Sequence, residues 1–254
     1  MQRCKILLFA LQAIVICAGC RFEQEGTGPG KRPQVLALRP RDELEIGRQA
    51  FGEVLKQERV VREGAQVEKV RRVSERIAKA IAIKPLQREI NLRVADYQFE
   101  WEYAVIQDDR VNAFCLPGGK IVVFSGLIDF VRNDDQLATV IAHEVSHAIA
   151  HHASERIATD QLIRNPLKRL AYNRDQESEA DHIGLFLMTF AGYDPDEALA
   201  FWELMGTASQ HGIRLPEFLS DHPNDARRYA NMQAWVRDAK AGKAAFGAGR
   251  IAKP

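Results

Sequence analysis

Cysteine is scarce in this 254-residue chain. Of four, three lie within the first 20 residues, which leaves Cys115 alone in the body. An excess of one charge is also missing: 35 basic residues face 34 acidic ones, for a formal net charge of +1. That excludes a basic nucleic-acid-binding surface as the organising feature. A long hydrophobic run is absent near the N-terminus too. The apolar stretch 6–19 is fourteen residues, interrupted by Gln12, whereas a spanning helix needs about 20. No internal repeat is visible. Hydrophobic content of 46% and charged content of 27% suit one globular domain.

What the N-terminus does contain is Arg3 and Lys5 before the apolar stretch, and Ala18-Gly19-Cys20 after it. This is the layout of an export signal. Its end resembles a bacterial lipobox, with Cys17 where leucine is usual, and predicts lipidation of Cys20. Arg21, in place of an aspartate, points to the outer membrane, with the protein on the periplasmic face of a bacterial envelope. Loss of Arg3 and Lys5 with the leader would take the formal charge from +1 to −1. With Cys20 lipidated, Cys115 has no partner, so no disulfide is expected and Cys115 reads as a small buried hydrophobe. Gly26, Gly28, Pro29, Gly30, Pro33 and Pro40 predict a tether. The expected organisation is a signal over 1–20, a tether over 21–40, a single domain over 41–240 and a loose tail over 241–254.

Within the domain, Leu44, Gly47, Phe51, Val54 and Leu55, then Val67, Val70, Val73, Ile77 and Ile81, recur at helical spacing and predict two amphipathic helices. Ile90, Leu92 and Val94 alternate with polar neighbours and predict a strand. A second strand ends at Val105-Ile106. Pro117-Gly118-Gly119 between two apolar segments predicts a hairpin. A helix is expected over 134–152, opened by Asn133 and Gln136 as a capping box. It is apolar on nearly every side, which marks it as buried. Further helices are expected over 172–190, from Asp194-Pro195, and from Pro223 past Trp235.

The buried helix carries His143-Glu144-Val145-Ser146-His147. Residues i and i+4 share a helix face, so both imidazoles can reach one ion, with Glu144 placed to act on a zinc-bound water. Buried histidines and a glutamate need partners, and a metal supplies them. A catalytic zinc takes a third protein ligand. A metzincin would have glycine and histidine where this chain has Ala150 and Ala153, so that class is excluded. His151 lies about 12 Å along the axis from His143; with His152 it reads as a helix-end residue suited to the negative end of the dipole. Glu177 and Asp181 are again four apart. Glu177 can ligate zinc while Asp181 accepts a hydrogen bond from a ligand histidine; the alternative is a solvated acidic face. Glu179 points elsewhere and is the lesser candidate.

Three motifs in order, Asn-Ala-Phe-x-x-Pro-Gly-Gly at 112–119, His-Glu-x-x-His at 143–147 and Glu-x-x-x-Asp at 177–181, resemble the gluzincin metalloendopeptidases of the CAAX prenyl protease, HtpX and OMA type. The resemblance spans roughly 41–237. It implies an α+β fold: a mostly helical, zincin-like domain with a small antiparallel sheet or hairpin beside the active-site helix. It implies one zinc ion per chain held by His143, His147 and Glu177, with Glu144 as catalytic base. It also implies that the strand after the Pro-Gly-Gly turn borders the cleft, with Asn112, Ala113, Gly118, Gly119, Ile121 and Val122 meeting an extended substrate. His222-Pro223 and Arg228 resemble the family's late His-Pro segment. His222 is a candidate fourth ligand or a capping residue, and Arg228 a candidate oxyanion group or a surface ion pair. Only 29 residues separate His147 from Glu177, too few and too polar for the membrane segments some such proteins place there.

The expected activity is zinc-dependent peptide hydrolysis on exported, unfolded or misassembled envelope proteins, with the membrane reached through the lipid. The alternatives are a zinc-dependent chaperone or assembly factor with little turnover, and a structural zinc domain.

Overall fold

In the computed structural model the described residues are 24–27, 32–92, 97–162, 166–210 and 226–250. Cys20, Val94 and His222 lie outside them. The elements in chain order are β1 (Gln24–Thr27), β2 (Pro33–Leu36), α1 (Pro40–Gln57), β3 (Val60–Val61), α2 (Ala65–Ile81), α3 (Lys84–Glu89), β4 (Glu102–Ile106), β5 (Ala113–Leu116), β6 (Lys120–Phe124), α4 (Ser125–Phe130), α5 (Asp134–Ile149), α6 (His152–Leu162), α7 (Pro166–Phe190), α8 (Asp196–Gln210) and α9 (Ala226–Gly247). The architecture is α+β and mostly helical, as expected. Among the described residues no helix is long and apolar enough to cross a membrane.

The centre is α5. Leu137, Ile141, Val145 and Ile149 are fully buried along it, and burying each such side chain contributes roughly 1.5–3 kcal/mol. It packs against α7, β5, α2 and α8, which accounts for apolar residues all round it. The Asn133 side chain accepts the Gln136 amide at 2.8 Å, and the Gln136 carboxamide oxygen accepts the Arg132 amide at 3.0 Å. The reciprocal cap thus reaches one residue further back than the expected box.

The helix stops at Ile149, earlier than 152. His151 has φ 60°, a left-handed conformation uncommon for a non-glycine residue. Its ring stacks on Tyr97 with centroids 3.5 Å apart, and its Nδ1 lies 2.9 Å from Glu43 Oε2. The break lets His152 begin a new helix, α6.

The main sheet runs β3-β4-β6-β5. The expected hairpin is β5–β6, registered from Ala113↔Val123 to Leu116↔Lys120. The sheet is mixed rather than purely antiparallel, because β4 pairs parallel with β6. The strand expected at Ile90 and Leu92 does not form. Pro85 sits in the first turn of α3, and Leu86 and Ile90, four apart, both turn into the core. An alternation that reads as period two is there the end of a helical face.

Both ends of the fold are more structured than expected. From Arg32 the anticipated tether is docked: β2 packs on α6, Leu38 N–H donates to Ser154 Oγ at 2.8 Å, and Gln34 is buried. The final helix continues through the expected tail to Gly247.

Candidate metal centre

Helix α5 presents His143 and His147 one turn apart, and α7 brings Glu177 opposite them. His143 Nε2 lies 3.1 Å from His147 Nε2 and 3.3 Å from Glu177 Oε2, and His147 Nε2 lies 3.5 Å from Glu177 Oε1. A tetrahedral zinc with bonds of about 2.0–2.1 Å separates its ligand atoms by about 3.4 Å, so the three donors suit one ion. They are the group among the described residues whose ligand atoms converge within 4.8 Å. Gly184, seven residues after Glu177, permits the approach of α7: a Cβ there would lie 3.0 Å from the His143 amide nitrogen. Glu144, on the same turn as His143, is also buried.

Each of these two histidines is backed by buried polar groups. His143 Nδ1 lies 3.0 Å from Asp181 Oδ1. Arg228 of α9 closes on Asp181 through two bonds, Nε to Oδ2 at 2.6 Å and Nη2 to Oδ1 at 2.8 Å. Its Nη1 lies 3.5 Å from Glu177, and the guanidinium sits 4.5 Å over the Trp202 ring. Arg228 is therefore no surface ion pair: it is buried, and its guanidinium is turned onto two buried carboxylates beside His143.

Behind His147 stands a second set, built from His152, expected as a helix-end residue, from Glu179, expected only as the lesser ligand candidate, and from Arg32. His147 Nδ1 is 2.8 Å from His152 Nδ1, and His152 Nε2 is 3.1 Å from Glu179 Oε2. Glu179 accepts Arg32 Nε–H at 2.7 Å, and Arg32 also pairs with Glu155. On one continuous helix a five-residue spacing puts His147 and His152 on different faces, so periodicity hides their contact. The left-handed turn at His151 creates it.

The electrostatics suit a cation. Burial holds the His147 and His152 imidazoles well below their ordinary range, hence neutral. Burial lowers His143 as well, but Asp181 and Glu177 outweigh it and bring that ring up to about 9. Two buried carboxylates converging on one ring make this a place where positive charge is wanted. Asp181 is raised by burial, yet Arg228 and His143 hold it below the usual carboxylate range. Burial, with the nearby Glu155 carboxylate, pushes Glu179 up to about 7 against the pull of Arg32.

The residues expected to meet substrate divide differently. Both edges of β6 are taken, by β4 and β5, so buried Ile121 and Val122 offer no edge to a peptide. Asn112 is buried and folds its side chain onto the Ala113 amide at 2.8 Å. Gly118 and Gly119 take φ 76° and 89° in the turn, where Cβ atoms would meet Leu44 and Trp101, each at 2.8 Å. Of that set Ala113 alone lies on β5, the terminal strand beside α5. Cys115, also on β5, is free and half-buried; burial, with the nearby Glu144 carboxylate, raises its thiol pKa.

Comparison with known proteins agrees with this geometry. The model of Peptidase family M48 matches residues 65–171 and 165–236. A mitochondrial metalloendopeptidase OMA1 of Schizosaccharomyces pombe is 35% identical over 162 residues, 56% of this chain and 48% of that protein. Its Arabidopsis thaliana counterpart is 42% identical over 147 residues, 50% of this chain and 30% of that protein. The β-barrel assembly-enhancing protease of Escherichia coli K12 is 28% identical over 170 residues, 52% of this chain and 35% of that protein. The matches thus span less than half the length of these relatives.

Proposed function

Because the chain belongs to Peptidase family M48, we propose that it is a zinc metalloendopeptidase acting on exported or envelope polypeptides in protein quality control. The observation that carries this reading is the convergence of His143, His147 and Glu177, with Glu144 buried on the same helix. A purely structural ion has no use for a general base at that place.

His143, His147 and Glu177 hold the zinc. When bound, it lowers the pKa of a water and polarises a peptide carbonyl. Glu144 takes the proton from the attacking water and delivers it to the leaving amine. Asp181, held by Arg228, fixes the His143 ring, which makes Arg228 a positioning residue. The substrate backbone pairs with the outer edge of β5, which no strand occupies among the described residues. That places an extended peptide across the face of α5. His222 remains our candidate for the fourth ligand of a resting site.

An export signal over 1–20 and a lipid on Cys20 would put the domain at an envelope membrane, a reading supported by the N-terminal sequence. Glu144→Gln tests the chemistry. Zinc content is expected to stay at one per chain while cleavage of an unfolded polypeptide falls by about 10²–10⁴-fold. Retained cleavage refutes the assignment of Glu144. The printed name of the Escherichia coli relative favours a second reading, an assembly factor with little turnover. The same variant separates the two: an assembly factor keeps its protection against aggregation in Glu144→Gln, and its wild type cuts no faster than the variant.

A further inference from the structure

The contacts behind His147 have a direction. His147 turns Nε2 toward His143 and Glu177, so Nε2 is its ligand atom and the proton of the neutral ring sits on Nδ1. That N–H faces His152 Nδ1 at 2.8 Å, a hydrogen bond when His152 Nδ1 accepts. The His152 proton then sits on Nε2 and donates to Glu179 Oε2 at 3.1 Å. The same oxygen accepts Arg32 Nε–H. Each bond sets the protonation of the next group. His152 and Glu179 are both buried, where a misplaced proton would leave a polar atom unsatisfied at a cost of about 1–3 kcal/mol. Arg32 is itself pinned: Glu155 takes two of its nitrogens, and Gln176 Nε2 donates to Glu155 at 2.8 Å.

We propose that His152, Glu179 and Arg32 form a positioning chain that fixes the tautomer and ring orientation of His147 as a metal ligand, with the docked segment 32–38 as its anchor. The proposal rests on His143, His147 and Glu177 being the zinc site. Both ligand histidines would then be backed by a chain ending in arginine, His143 through Asp181 to Arg228 and His147 through His152 and Glu179 to Arg32. Removing such outer partners typically weakens metal binding about 10–100-fold.

The test is zinc affinity of the full-length chain, measured by competition with a chromophoric chelator, beside melting of the metal-free protein. His152→Leu and Glu179→Leu are each expected to weaken zinc binding about 10–100-fold while remaining folded, and Arg32→Ala about tenfold. His152→Gln should restore most of the affinity, because its amide can accept from His147 and donate to Glu179. The double Leu variant should lose no more than His152→Leu alone, since the groups act in series. Affinities within twofold of wild type in folded His152→Leu, Glu179→Leu or Arg32→Ala, or additive losses in the double variant, overturn the chain. Should the Leu variants fail to fold, Arg32→Ala decides alone: a loss of about tenfold supports the chain, and an affinity within twofold of wild type overturns it. A wild-type protein that takes up no zinc overturns the metal reading itself, whereas tight wild-type binding unaltered by the substitutions sinks only the chain.

Discussion

Single residues set both the chemistry and its blind spots. His151 makes the point: one left-handed residue, held by Glu43 and Tyr97, converts what would be a continued helix into a corner. Away from the centre, Glu100 is an exposed group with a measurable signature. Its hydrogen bond from Arg48, aided by Lys120, holds its carboxyl at about 2, below the ordinary 4.5. A depressed carboxylate stabilises the fold above its unfolded value, and that contribution is lost as pH falls through the folded one. An NMR titration should find the Glu100 midpoint near 2. Stability of Glu100→Gln should fall less steeply than wild type as the pH drops from 4.5 toward 2. At this scale the convergence of His143, His147 and Glu177 is legible, because the two histidines and the Glu177–Asp181 pair each keep a helical spacing. The meeting of His152, Glu179 and Arg32 is not, since it depends on a backbone turn and on residues 27 and 147 apart in sequence.

At the scale of elements, the close crossing of α5 and α7 decides where Glu177 ends up. Gly184→Ala would put a methyl group 3.0–3.1 Å from the backbone of Ala142 and His143. Overpacking of this kind costs about 1–3 kcal/mol, and separating the helices also spreads the ligand triangle. The expected outcome is a lower Tm in the metal-free protein together with weaker zinc binding in chelator competition; an unchanged Tm would show that the helices yield freely. Helices α2 and α5 could be read from periodicity and capping residues. Strand order could not. Nothing local tells that β6 lies between β4 and β5, and that order moves the available edge from Ile121 and Val122 to β5. The strand expected at Ile90 and Leu92 gives way to the end of α3, because Ile90 caps that helix and lies four residues from Leu86, a spacing at which one turn of helix and an alternating strand share a face.

For the molecule as a whole, the two arginines behind the site come from opposite ends of the described fold: Arg32 precedes the first long helix, and Arg228 lies on the last. A chain beginning at Gln24 keeps both and should bind zinc as wild type does. A chain beginning at Arg39 lacks β2 and Arg32 and should bind about tenfold or more weakly, by the same competition assay. Equal affinity of the two would make the docked segment mere packing. This arrangement carries a consequence for timing. Arg228 is among the last folded residues to be synthesised, and Arg32 is seated only once α6 and α7 have formed around it. A partly made chain therefore has its histidines but lacks the groups that aim them, so under the proposed reading a competent site arrives only with the finished fold.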